Sequence, residues 1–137
     1  MDVDFCRVED IEDYLSVPEG HYHVRVAEVR EGWTREGDVR YAMRLEVIEG
    51  EYAGRTAAWD GISFSERGLK RAKFVLGALG FDTSGRIEIE PGDLTGRELW
   101  AEVIAEDRVD PTTAQRTIRP RVPFTGYAAQ PEDLGKR

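Results

Sequence analysis

Apolar and polar residues alternate along most of residues 20–124, and the alternation breaks once into helical spacing. Tyr22, Val24 and Val26 alternate with His21, His23 and Arg25, which predicts a half-buried first strand. Val29 then falls on the opposite parity, so a bulge is expected between Val26 and Glu28. Residues 31–38 carry Gly32 and Gly37 and read as a hairpin loop with Trp33 at its tip. The second strand, 39–48, points Tyr41, Met43, Leu45 and Val47 inward and Arg40, Ala42, Arg44 and Glu46 outward. A turn at 49–54 leads to a third strand, 55–64. There Ile62 and Phe64 inward imply Ala58 and Asp60 inward, with Trp59, Gly61 and Ser63 outward. An inward carboxylate is costly, and a bulge would reverse the assignment.

Residues 65–79 change period. Leu69, Ala72, Val75, Leu76 and Leu79 form one stripe, Ser63 and Glu66 have capping-box spacing, and Gly80 stands where a helix should stop. Arg67, Lys70, Arg71 and Lys73 leave this helix with a charged, solvated face. A connection follows, with a short extended piece at 86–90 and a turn at Pro91-Gly92. The fourth strand, 97–107, sets Leu99, Ala101, Val103 and Ala105 against Trp100, Glu102, Ile104 and Glu106. Asp110-Pro111-Thr112-Thr113 turns the chain into a fifth strand, 115–124, with Ile118, Val122 and Phe124 opposite Arg119 and Arg121. Pro120 and Pro123 cannot donate to a ladder, so this strand belongs at an edge. Three strands, a helix and two strands predict an all-β fold with one helix: a five-stranded Greek-key barrel of the oligonucleotide/oligosaccharide-binding (OB) type, β1-β2-β3-α-β4-β5. The expected division is an acidic arm at 1–18, the barrel at 19–124 and a flexible tail at 125–137.

Charge alters this picture only once it is located. The net charge is −8 over 137 residues, but residues 1–20 hold seven acids against one base. The remainder is close to neutral, so an acidic total does not exclude a nucleic-acid face. The arm's apolar positions, Val3, Phe5, Val8, Ile11 and Leu15, have the spacing of a short amphipathic helix. No apolar run reaches membrane-spanning length and no secretory leader opens the chain, so no membrane association is expected. A single cysteine, Cys6, fits a reducing cytoplasm.

Catalysis finds little foothold. His21 and His23 share a strand face without a third ligand at motif spacing, and no nucleophile elbow, phosphate loop or dinucleotide fingerprint occurs. No metal, cofactor or catalytic residue is expected. Binding has more to use: gripping a single strand needs aromatic faces for bases and cations along the phosphates. Trp33 and Arg35 in the first hairpin loop, Trp59 on the third strand, and Arg25, Arg44, Arg119 and Arg121 at outward positions are the candidates. The expected ligand is single-stranded DNA, with RNA as an alternative. The competing reading is a protein-interaction or phage-structural module on the same barrel. Whether the chain acts as a monomer or a homodimer is left open.

Particular stretches also resemble a known family. They are Gly20-His-Tyr-His-Val-Arg-Val, Gly37-Asp-Val-Arg-Tyr-Ala-Met, and Glu46 through Arg55. Trp59-Asp60, the Leu69-to-Gly80 helix and Asp93-Leu-Thr-Gly-Arg97 extend the likeness. Together they look like a phage and prophage family of small OB-fold single-stranded-DNA-binding proteins, largely uncharacterised and associated with recombination and annealing genes. The resemblance implies the barrel, DNA replication or recombination as the setting, and recombination or replication proteins as partners. Ala57-Ala58 lengthens the third strand by one residue relative to that pattern, and the tail from Pro131 lacks a dense acidic end.

Overall fold

Two one-residue slips shape the sheet. In the computed structural model, which describes residues 17–134, β1 (Gly20–Trp33) pairs antiparallel with β2 (Val39–Val47). Their register shifts between Val26 and Glu28, so Ala27 is the extra residue that the parity change at Val29 required. β2 pairs in turn with β3 (Thr56–Ser63), and a second shift opposite Leu45 and Glu46 leaves Ala57 as the extra residue. Both Ala57 and Ala58 are therefore buried, and the strand bends at side chains small enough to be enclosed.

After β3 come α1 (Leu69–Ala78), the one-turn helix α2 (Pro91–Leu94), β4 (Glu98–Val109), β5 (Arg116–Arg121) and β6 (Tyr127–Ala128). A 3₁₀ turn, Pro131–Asp133, closes the described chain. The ladders run β3-β2-β1-β4-β5, with β6 paired to β4, giving a mostly antiparallel six-stranded architecture with one principal helix. No ladder joins β3 to β5 among the described residues, although the two strands approach one another. No described helix is long and apolar enough to cross a membrane.

The core follows the alternation. Val24 and Val26 of β1, Tyr41, Met43, Leu45 and Val47 of β2, Ile62 of β3 and Leu99, Ala101 and Val103 of β4 are all buried. Ala72, Val75 and Leu76 of α1 pack into the same cluster. Burying each larger aliphatic side chain stabilises the fold by about 1.5–3 kcal/mol. Leu94 from α2 is also fully buried, and Arg97 lies 3.8 Å from the centroid of Phe81 beneath the helix end.

Several expectations give way. α1 starts at Leu69, with Gly68 as its N-cap, not at residue 65. Ser65 Oγ accepts from the Gly68 N–H at 3.1 Å, and Ser63 Oγ contacts Ser65 Oγ at 3.2 Å, so no Ser63–Glu66 capping box forms. Leu69 is consequently exposed, outside the stripe. Gly80 does end the helix, at φ +100°. Residues 86–90 join no ladder, and the Pro91-Gly92 turn is the first turn of α2. β5 lies at the end of the sheet path, as its prolines require, but Ile118 and Phe124 are exposed and only Val122 is buried.

The expected flexible tail is the largest correction. Within 125–134, Tyr127 pairs with Ala101 and Ala128 with Trp100, and Tyr127 is 1% exposed. A core aromatic and a sixth strand thus lie within the segment expected to be a tail, and residues 135–137 lie outside the described residues. Of the arm at 1–18, residues 1–16 lie outside the described residues. Val17 is buried, and the carbonyl of Pro18 accepts a 2.6 Å hydrogen bond from the Tyr22 hydroxyl.

Candidate functional site

Trp59 is the one outward indole set among cations. On β3 it lies directly opposite Arg44 of β2, so the two side chains share the outer face of the sheet. The guanidinium of Arg30, from β1, stands 4.7 Å from the Trp59 ring centroid, within range of a cation–π contact. The indole keeps 41% of its surface exposed. Two positions along β3, Gly61 has no side chain, and the guanidinium of Arg40 occupies the space: a Cβ there would sit 2.0 Å from an Arg40 nitrogen.

Facing this wall is β5. A groove of about 670 Å³ runs between them, lined by Arg40, Trp59, Asp60 and Gly61 on one side and by Glu106, Arg119 and Arg121 on the other. Pro120 also lines the β5 side. It is paired to Ala105, and the Ala105 N–H is taken on the opposite edge of β4 by the Glu19 carboxylate at 2.8 Å.

Along the groove a part-buried polar cluster centred on Asp60 ties β3 to α1 and β6. Asp60 does point inward, as period two demanded, and no bulge reverses it. Arg71 of α1 binds the Asp60 Oδ2 at 2.7 Å and donates to the Gly61 carbonyl at 2.9 Å. The Tyr127 hydroxyl donates to the same carboxylate oxygen. Burial first, and the Asp60 charge second, push the Tyr127 hydroxyl well above the ordinary tyrosine value of 10.0. Arg71 therefore belongs to this internal cluster, not to a solvated helix face.

Of the seven positions singled out from sequence, the fold brings Trp59, Arg119 and Arg121 into the groove and sets Arg44 beside it. Arg25 lies farther along the outer face, bonded to Glu46 at 3.0 Å. Trp33 is no loop-tip residue: it is the last residue of β1, opposite Val39, and is 68% exposed. Its parity is that of Val29 and Glu31, whose partners Met43 and Tyr41 face the core, so Trp33 and Trp59 lie on opposite faces of the sheet. The turn beyond it is closed by the Thr34 N–H to Asp38 carbonyl bond of 2.8 Å, and Arg35 sits exposed in that turn. Arg40 and Gly61 line the groove and Arg30 packs on the Trp59 ring, and none of the three was among the positions singled out from sequence. Arg40 and Gly61 were legible as outward, but nothing in the sequence showed that one seats the other.

Acids temper this surface. Glu28 bonds Arg30 at 2.6 Å and lies 3.5 Å from Arg44. The hydrogen bond from Arg30, reinforced by Arg44, holds the Glu28 carboxyl below its usual 4.5, so it is ionised at neutral pH. Arg119 is 3.6 Å from Glu106. Arg40 and Arg121 form no ion pair among the described residues, which leaves one unmatched cation on each wall.

Elsewhere, His23 stacks on Trp100 with ring centroids 4.9 Å apart and lies between Glu49 and Glu98, at 3.2 and 3.4 Å. His21 is 3.9 Å from Glu102. The histidines thus serve aromatic and carboxylate contacts, and no group of three or more metal-ligating side chains occurs among the described residues.

Comparison with curated proteins gives no match. The family model described as "Protein of unknown function (DUF669)" matches residues 2–109, most of the chain, and the protein belongs to that family.

Proposed function

We propose that this protein binds single-stranded DNA without catalysis, on a barrel of the OB type. The strand path, with β1 shared between β2 and β4 and with β3 approaching β5, supports that barrel. One observation carries the functional reading: an exposed indole, Trp59, stands in a groove whose two walls each present an unmatched arginine. An aromatic face for a base with cations for the flanking phosphates is the minimal equipment for holding a single strand. Arg40, Arg119 and Arg121 are the phosphate contacts in this reading, Trp59 the stacking platform, and Arg30 and Arg44 the cations that orient it.

The test is a fluorescence titration with a labelled oligothymidylate at two salt concentrations. Three phosphate contacts predict a log–log salt slope near −2, so affinity should fall roughly 20-fold between about 50 and 200 mM salt. A flat response, or no binding at low salt, removes the reading. It would favour the alternative, a protein-interaction module, for which the ion pairs Arg25–Glu46, Arg44–Glu28 and Arg119–Glu106 speak because they neutralise much of the surface.

A further inference from the structure

A groove that only held phosphates would gain nothing from carboxylates, yet two line this one, Asp60 on the β3 side and Glu106 on the β5 side. Each is held through a single oxygen. Arg71 and the Tyr127 hydroxyl both donate to Asp60 Oδ2, and Arg119 stands 3.6 Å from Glu106 Oε2. The second oxygens, Asp60 Oδ1 and Glu106 Oε1, have no hydrogen-bond partner among the described residues. No buried side-chain oxygen there lacks a partner, so both of these reach solvent. The side chains are 13% and 29% exposed, which leaves each carboxylate a small open rim with its other oxygen tied down.

We propose that the groove selects bases carrying an exocyclic amine (cytosine, adenine and guanine) over thymine and uracil, and that the free oxygens of Asp60 and Glu106 make the selection. The proposal rests on the single-strand reading above and names the strands it favours. A carboxylate oxygen accepts hydrogen bonds and donates none. A base stacked on the Trp59 indole turns its edge toward the walls that carry Asp60 and Glu106. An amine there donates to a carboxylate, as cytosine N4 does in base readout. Uracil and thymine bring a carbonyl oxygen to the same place, and two facing acceptors leave both unpaired. Phosphates are repelled by these carboxylates, so they fall to Arg40, Arg119 and Arg121. Asp60 contributes the more ordered oxygen, because two donors fix its carboxylate before any base arrives.

Oligodeoxycytidylate and oligodeoxyuridylate of equal length differ at the amine without a change of ring size or an added methyl group. Tryptophan fluorescence of the full-length protein reads the binding of both. The cytidylate should bind at least about fivefold more tightly, the low end of what such a base contact discriminates. Replacing its cytosines with pyrimidin-2-one, the same ring without the amine, should erase the preference. Asp60→Asn and Glu106→Gln test the oxygens themselves. In each, the existing donors keep the carbonyl oxygen and turn an amide NH₂ toward the base, so the cytidylate-to-uridylate ratio should fall toward one. The loss of charge alone shifts both affinities together and leaves that ratio unchanged. If Asp60→Asn does not fold, Glu106→Gln, at a partly exposed side chain, decides alone. A wild-type ratio under about twofold, or a ratio that neither variant moves, overturns the proposal. Salt-sensitive binding of both strands in that case leaves the single-strand reading standing, whereas binding of neither strand at low salt removes the two together.

Discussion

Replacing Tyr127 with Phe removes one oxygen atom from a fully enclosed site and leaves the ring that fills it. In the wild type that hydroxyl donates to Asp60, whose other partner is Arg71 at 2.7 Å. A hydrogen bond to a charged group contributes about 1.5–3 kcal/mol when buried. Because Arg71 still satisfies Asp60 in Tyr127→Phe, the lower half of that range applies, about 2 kcal/mol. For a domain of this size each kcal/mol moves the melting temperature by roughly 4 °C, so Tm should fall by about 8 °C. With a urea m-value near 2 kcal/mol/M, the denaturation midpoint should move by about 1 M.

The same hydroxyl gives an alkaline signature. Its pKa is raised in the folded state above the ordinary 10.0, so the unfolded chain releases this proton first as pH rises. Stability owed to the protonated phenol is complete below about pH 10 and is lost as pH climbs toward the folded value, at up to about 1.4 kcal/mol per pH unit. Near pH 11 the gap between wild type and Tyr127→Phe should therefore shrink from about 2 to below 1 kcal/mol. Urea denaturation followed by circular dichroism at neutral pH and near pH 11 measures both. A neutral-pH difference under about 0.5 kcal/mol that does not change with pH would refute the reasoning. Tyr127 and β6 would then not be locked to β3.

Three further outcomes test the groove. Trp59→Ala should weaken oligothymidylate binding by roughly 5- to 150-fold, the equivalent of about 1–3 kcal/mol for one stacked base, while Tm barely moves. Trp33→Ala, measured in the same titration, should change affinity less than about twofold, because its indole is on the other face of the sheet. Equal losses for the two variants would place the ligand along the first hairpin instead. Gly61→Ala should leave stability nearly unchanged, since the atom its Cβ meets is the end of the flexible Arg40 side chain. It should, however, displace that cation and make the log–log salt slope shallower by about 0.7. An unaltered slope would remove Arg40 from the phosphate track.

What sequence alone determined is what depends on neighbours along the chain. Period-two alternation placed the inward residues of β2, the slip at Val29 announced a bulge, Gly80 marked the helix end, and Pro120 sent β5 to an edge. Each is a local consequence of backbone geometry, so a few residues suffice to show it. The alternation also pointed Asp60 inward without showing what made that tolerable. Arg71 stands 11 residues away and Tyr127 stands 67, and only the packing of α1 and β6 against β3 brings their donors to one carboxylate. The candidate site divides the same way. Outward arginines and tryptophans were legible one strand at a time, but their grouping was not. The β1–β2 register puts Trp33 on the core-side face, while the approach of β5 to β3 sets Arg119 and Arg121 across from Trp59. Which side chains share a groove is decided by contacts between strands distant in sequence, and no pattern along a single strand encodes that.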